Sequence, residues 1–205
     1  VIACINTLGY GDPKNGMGLI FDSSDWDGKT QCSYEGDLKN LGDAVPSEDG
    51  ALLEPSIPQV QDFVVSIVKE ICTKYPGIKG ICLDYARYYG PLYGLSDIAL
   101  ENFSAYCGTA GVVSADIIGA DGTTKGPLYS KWIEFRSMNV HNLVSKIRAA
   151  IKECDPDKML CMWASADFES RYLYGQNWAS TRFSFNANAN YTATYNNTAL
   201  AELLD

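Results

Sequence analysis

A single histidine, His141, stands in a chain of 205 residues. With no second imidazole beside it, a His-based metal centre or a histidine general base has little to build on. Cysteine is present at seven positions (Cys4, Cys32, Cys72, Cys82, Cys107, Cys154 and Cys161), but no CxxC pair occurs, so neither a zinc knuckle nor a dithiol redox motif is written here. The seven read as small buried apolar side chains. Positive charge is also short. Sixteen Lys and Arg face 25 Asp and Glu, the net charge is -9, and no basic stripe appears, which excludes nucleic acid as an expected partner. No Gly-rich phosphate fingerprint follows any predicted strand, which counts against a dinucleotide or phosphorylated substrate. No apolar run is long enough to span a membrane, and no signal peptide or lipidation motif is visible. No metal or other cofactor is expected.

What is present is an ordinary globular composition, 46% hydrophobic and 20% charged, with many aromatics: 13 Tyr, 7 Phe and 4 Trp. That length supports one domain over residues 1–205. The most informative stretch is Gly80-Ile81-Cys82-Leu83-Asp84-Tyr85-Ala86-Arg87-Tyr88. The apolar run from Ile78 to Leu83 predicts a buried parallel strand, and its end delivers a carboxylate to the rim of a sheet. In α/β folds ligands bind at that rim.

Val1 to Asn6 is a second strand-like run ending in a polar side chain. From Thr7 to about Ala51 the composition turns to Gly, Asp, Asn, Lys and Ser, the mark of a functional excursion, with Met17–Phe21 as one arm of a small hairpin and Trp26 within reach of the rim. Ser56 with Gln59 reads as a capping box, with Pro58 in the first turn. Val60, Phe63, Val64, Ile67, Val68, Ile71 and Cys72 then mark one helix face. A short helix is predicted from Ser96 to the stop at Gly108. A long one follows from about Ser130 to Cys154, with Trp132, Phe135, Arg136, Val140, Leu143, Val144, Ile147 and Ile151 inward. Arg136 is expected to make a buried salt bridge. Lys158 to Ala164 is a third strand, and a last helix is predicted near Asn197 with Leu200, Leu203 and Leu204. Three strands alternating with helices, each strand followed by a long loop, suggest a (β/α)8 barrel or a doubly wound sheet. Three parallel strands cannot close a barrel, so the chain reads as an interior portion of one, the remainder coming from other sequence or another chain.

The stretch LLEPSIPQVQDFVVSIVKEICTKYPGIKGICLDYARY resembles a recurring segment of the glycosyl hydrolase-like family 10 proteins, bacterial (β/α)8 barrels related to the α-amylase type of glycosidase. FSAYCG, YSKWIEFRSMNVHNLVSKIRAAIKECDP and YLYGQNWAST are similar to further segments of that family, in the same order. Lys79-Gly80 departs from the family's Asp-Gly, before the strand end. The resemblance implies an α/β fold that is the interior portion of a TIM barrel, about strands 3 to 5. It also implies an exported, carbohydrate-directed protein with a carbohydrate substrate as partner.

On that resemblance Asp84 stands where related glycosidases carry their nucleophile, and a carboxylate there can attack or stabilise an oxocarbenium-like centre. The second carboxyl should follow the next strand, where Asp167 and Glu169 are the candidates. A separation of about 5–5.5 Å would mean retention and roughly 6.5–9.5 Å inversion. Arg87 would hold Asp84 ionised or clamp it. Tyr85, Tyr88, Trp163 and Trp178 are candidate sugar-facing aromatics, and Asn6 a hydrogen-bond donor to a hydroxyl. The function implied is glycoside hydrolysis by two carboxylates. The alternative is a barrel that binds carbohydrate without cleaving it.

Overall fold

A computed structural model describes residues 1–34, 38–40, 50–165, 170–178 and 197–205. Its centre is a parallel sheet of β1 (Ile2–Asn6), β6 (Gly80–Asp84) and β7 (Met159–Met162), in that spatial order. The register is Asn6 beside Asp84 and Leu83 beside Met162, so the carboxyl ends of the strands align. Gly80 is required where β6 enters, because a Cβ there would lie 2.5 Å from the Met159 carbonyl oxygen.

The alternation along the strands sorts the side chains onto two faces. Ile81, Leu83 and Leu160 are buried under two helices, α2 (Pro58–Lys74) and α4 (Tyr129–Cys154). α2 contributes Val60, Val64 and Val68, and α4 contributes Val140, Leu143, Val144, Ile147 and Ile151. The other face carries Ile2, Cys4, Cys82, Asp84 and Cys161, and no described helix covers it; Ile2 and Cys4 are exposed there. Sequential parallel strands with helices on one face are compatible with part of a glycosyl hydrolase-like barrel.

A smaller core lies beyond the end of β6. α3 (Asp97–Cys107) begins at Ser96, whose Oγ accepts from the Ala99 N–H, and ends at Gly108 with φ 65°. Its Leu100 and Phe103 pack with Trp132 and Phe135 of α4.

The excursion after β1 is more structured than its composition suggests. β2 (Gly9–Gly11) pairs antiparallel with β5 (Ala51–Leu52), and β3 (Cys32–Tyr34) pairs with β4 (Leu38–Asn40). Met17 bridges to Asp12, but Leu19–Asp22 forms a short helix, α1, in place of the expected hairpin arm. Trp26 is buried against Phe63 with ring centroids 4.7 Å apart, so it packs in the core and does not reach the rim.

Two other expectations are corrected. The N-cap of α2 is Ile57, without a side-chain hydrogen bond; the Ser56 N–H instead donates to Glu54 Oε1 at 3.0 Å. Residues 197–205 carry a 3-10 turn at 197–198 and a further turn at 201–203 in place of the expected helix, and Leu200 still reaches the core.

Candidate functional site

Asp84 ends the central strand of the sheet. Its Oδ1 accepts from the Tyr85 N–H at 2.8 Å, while its own carbonyl accepts from the Thr7 N–H at 2.8 Å. The chain turns sharply at once: Tyr85 has φ 50°, a left-handed conformation that costs a side-chain-bearing residue about 1–2 kcal/mol. Such strain survives only where the surroundings hold it, and it commonly sits at sites. Beside Asp84 the next strand ends too, and the Trp163 N–H donates to the Leu83 carbonyl at 2.9 Å.

These ends open on a cavity of about 430 Å³ lined by Asp84, Tyr85, Arg87, Trp163, Ala164, Ser165, Arg171 and Gln176. Trp163 is 64% exposed, a large apolar ring presented to solvent at a polar cavity. A larger cavity of about 740 Å³ lies along α3 and the following turn, away from the strand ends, with mostly small and apolar lining.

Arg87 does not form an ion pair with Asp84. Its Nη1 donates to the carbonyls of Tyr88 (3.1 Å) and Tyr89 (2.9 Å), and its guanidinium lies over the rings of Tyr85 (4.9 Å) and Tyr174 (5.4 Å). Burial lowers its pKa, and the nearby Arg171 charge adds to that.

Arg171 and Gln176 reach the cavity because a single turn of 3-10 helix, Arg171–Tyr174, is tied back to the β6 loop. The Tyr88 N–H donates to the Tyr174 carbonyl at 2.9 Å, and Gln176 Nε2 donates to the Ala86 carbonyl at 3.3 Å. The sequence offered no periodic signal for either residue, only the polar, aromatic character of the segment.

Tyr88 is not a wall of this cavity. It is fully buried, its hydroxyl donates to Glu54 Oε1 at 3.0 Å, and Asn139 Nδ2 donates to the hydroxyl at 3.3 Å. Gly94 and Gly175 both have positive φ and abut its ring; a Cβ would lie 2.5 Å and 2.8 Å from it. Burial raises the Tyr88 pKa well above the ordinary phenol value, and burial also raises that of the fully buried Glu54. No periodic pattern points to Glu54; its one clue in the sequence is an acid inside the apolar run Leu52-Leu53-Glu54-Pro55.

Arg136 closes the same network from α4. It is fully buried and makes no ion pair among the described residues, contrary to expectation. It donates to the carbonyls of Gly90 (2.8 Å), Pro91 (3.0 Å) and Leu173 (2.9 Å) and lies over the rings of Tyr88 (4.2 Å) and Trp132 (4.4 Å). Carbonyl dipoles take the place of a carboxylate, and burial pulls its pKa down to about 10.

Asn6 is beside Asp84 in register but turned onto its own loop, its Oδ1 accepting from the Gly9 N–H at 2.8 Å. Trp178 is half-buried against the main core and does not line the cavity. Asp167 and Glu169 lie outside the described residues. Among the described residues no cluster of three or more His, Cys, Asp or Glu is arranged to hold a metal ion, and no helix is long and apolar enough to cross a membrane.

The site is thus a carboxylate at the end of a central parallel strand, in a cavity with tyrosine and tryptophan faces. The profile of the family Glycosyl hydrolase-like 10 matches residues 39–196, most of the chain. The chain belongs to that family. It is also similar to an S-layer-related protein of Niallia circulans, with 27% identity over 183 residues. That alignment covers 84% of this chain and 11% of the relative, so the chain spans about a ninth of that protein's length. Within the family match fall Glu54, the Asp84 strand, Arg136 and the Arg171–Gln176 turn.

Proposed function

We propose that the chain forms part of the saccharide-binding and catalytic wall of a glycoside hydrolase, with Asp84 as nucleophile or charge-stabilising carboxylate. The observation that carries this reading is Asp84 at the carboxyl end of the central strand, opening on a cavity beside an exposed tryptophan. In this reading the three parallel strands are neighbouring staves of a (β/α)8 barrel, about its third to fifth, completed by other sequence or another chain. The small share of the S-layer-related relative that the alignment covers supports a longer whole. An exported, cell-surface setting is part of the same proposal.

Chemically, the substrate is a poly- or oligosaccharide. Tyr85 and Trp163 offer ring faces to a sugar, and apolar ring faces with polar edges suit ligands of that kind. Asn6, one strand over, holds its own loop through Oδ1 and offers its Nδ2 to a hydroxyl. Arg87, held by two carbonyls, keeps a positive charge near the Asp84 carboxylate without neutralising it by direct contact. Asp84 attacks or stabilises the anomeric carbon as positive charge develops there. A second carboxyl, Asp167 or Glu169, protonates the leaving oxygen.

The test is a screen of the full-length protein against a panel of polysaccharides for release of reducing ends, with Asp84→Asn in parallel. Release by the wild type and none by Asp84→Asn is expected. Undiminished release by Asp84→Asn removes Asp84 from the reaction. Binding without release by either protein replaces the proposal with a non-catalytic carbohydrate-binding barrel.

A further inference from the structure

Two cysteines outside the site meet where α2 and α4 end. The helices run parallel and side by side. Asp62 pairs with Lys146 at 3.1 Å, and Lys69 pairs with Glu153 at 3.0 Å, so both helices advance by the same two turns between the contacts. Just beyond the helix ends, the buried Lys158 ammonium donates to the Pro76 carbonyl (3.1 Å) and to Asp155 Oδ2 (3.2 Å). It thus ties the chain leaving α2 to the chain leaving α4. Between these two fastenings lie Cys72, in the last turn of α2, and Cys154, the final residue of α4. The fastenings on either side bring these two side chains next to each other. Cys72 is buried and Cys154 is exposed.

We propose that Cys72 and Cys154 are a disulfide-forming pair that staples α2 to α4 under oxidising conditions. The difference in exposure sets the order of events. The exposed Cys154 thiolate attacks a low-molecular-weight disulfide such as oxidised glutathione, forming a mixed disulfide and releasing one glutathione thiolate. Cys72 then loses its proton and attacks Cys154 Sγ, and the second glutathione thiolate leaves. Two protein thiols are oxidised, and one glutathione disulfide is reduced to two thiols. The exposed ion pairs that otherwise clamp these helices contribute little. A bridge between residues so far apart in sequence closes a long loop, the case in which cross-linking constrains the unfolded chain most. Cys4 and Cys82 are also neighbours, but they sit in strands already joined by a hydrogen-bonded ladder.

The experiment equilibrates the full-length protein with oxidised and with reduced glutathione, blocks remaining thiols with N-ethylmaleimide, and maps peptides by mass spectrometry. In the oxidised sample a Cys72–Cys154 linked peptide is expected, lost on reduction, and the unfolding midpoint of the segment should rise by about 5 °C. In Cys154→Ser, which changes an exposed position, Cys72 should stay a free thiol and the rise should vanish. N-ethylmaleimide on both thiols of the oxidised wild type overturns the proposal. So does arrest at a Cys154–glutathione mixed disulfide, or a Cys4–Cys82 linkage formed in its place.

Discussion

Replacing Arg136 should loosen the candidate site without touching it. The guanidinium binds carbonyls from two loops, Gly90 and Pro91 after β6 and Leu173 in the turn that brings Arg171 to the cavity. In Arg136→Met all three carbonyls lose their donor in a buried setting, at about 1–3 kcal/mol for each that water cannot reach. Two ring contacts are lost as well, each roughly 0.5–2 kcal/mol. Against this, the variant no longer buries a charge, which offsets several kcal/mol. The net expectation is a loss of about 3–4 kcal/mol, concentrated where the two loops meet. Hydrogen exchange read by mass spectrometry reports it locally. The Tyr88 amide, bonded to the Tyr174 carbonyl, should exchange roughly a hundred- to a thousand-fold faster, at about 1.4 kcal/mol per tenfold. Arg136→Lys, which can satisfy one or two of the carbonyls, should fall between. A change under about threefold in Arg136→Met would refute the claim that Arg136 joins the loops.

Burial raises the Glu54 pKa, so its neutral form is the one the fold favours; the associated stability is present below the ordinary glutamate value of about 4.3 and is lost as pH rises through the raised one. Thermal melts of wild type and Glu54→Gln should therefore shift in favour of the variant with rising pH, and a pH-independent difference contradicts this. Gly175→Ala adds a Cβ 2.8 Å from the Tyr88 ring at φ 76° and should cost about 2 kcal/mol or more by thermal or chemical denaturation. Trp163→Ala should change stability by less than about 0.5 kcal/mol, since the ring is exposed, yet weaken saccharide binding about tenfold by calorimetry.

The elements with strong periodicity were legible in the sequence. The α2 and α4 stripes, the Ser96 and Gly108 caps and the strand ending at Asp84 all stand where pattern and cap chemistry place them. Local signals misled where tertiary contacts competed. Ser56 has capping chemistry, but its backbone N–H is claimed by the Glu54 carboxylate, and Ile57 takes the cap position. Tyr88 and Tyr85 look alike in Asp-Tyr-Ala-Arg-Tyr, yet one is buried on Glu54 and the other lines the cavity. Only the left-handed turn at Tyr85 and the two glycines against Tyr88 separate them, and a pattern of residue types does not encode that packing. Arg171 and Gln176 come to the site through backbone hydrogen bonds between loops, which leave no periodicity to read.

The central claim is that Asp84 is the reaction centre, and the most direct measurement splits binding from turnover in the full-length Asp84→Asn protein. On a saccharide that the wild type cleaves, turnover should fall by about a thousand-fold or more while calorimetric affinity stays within about threefold, the signature of a group acting in the transition state. Turnover within about tenfold of wild type would place the chemistry elsewhere.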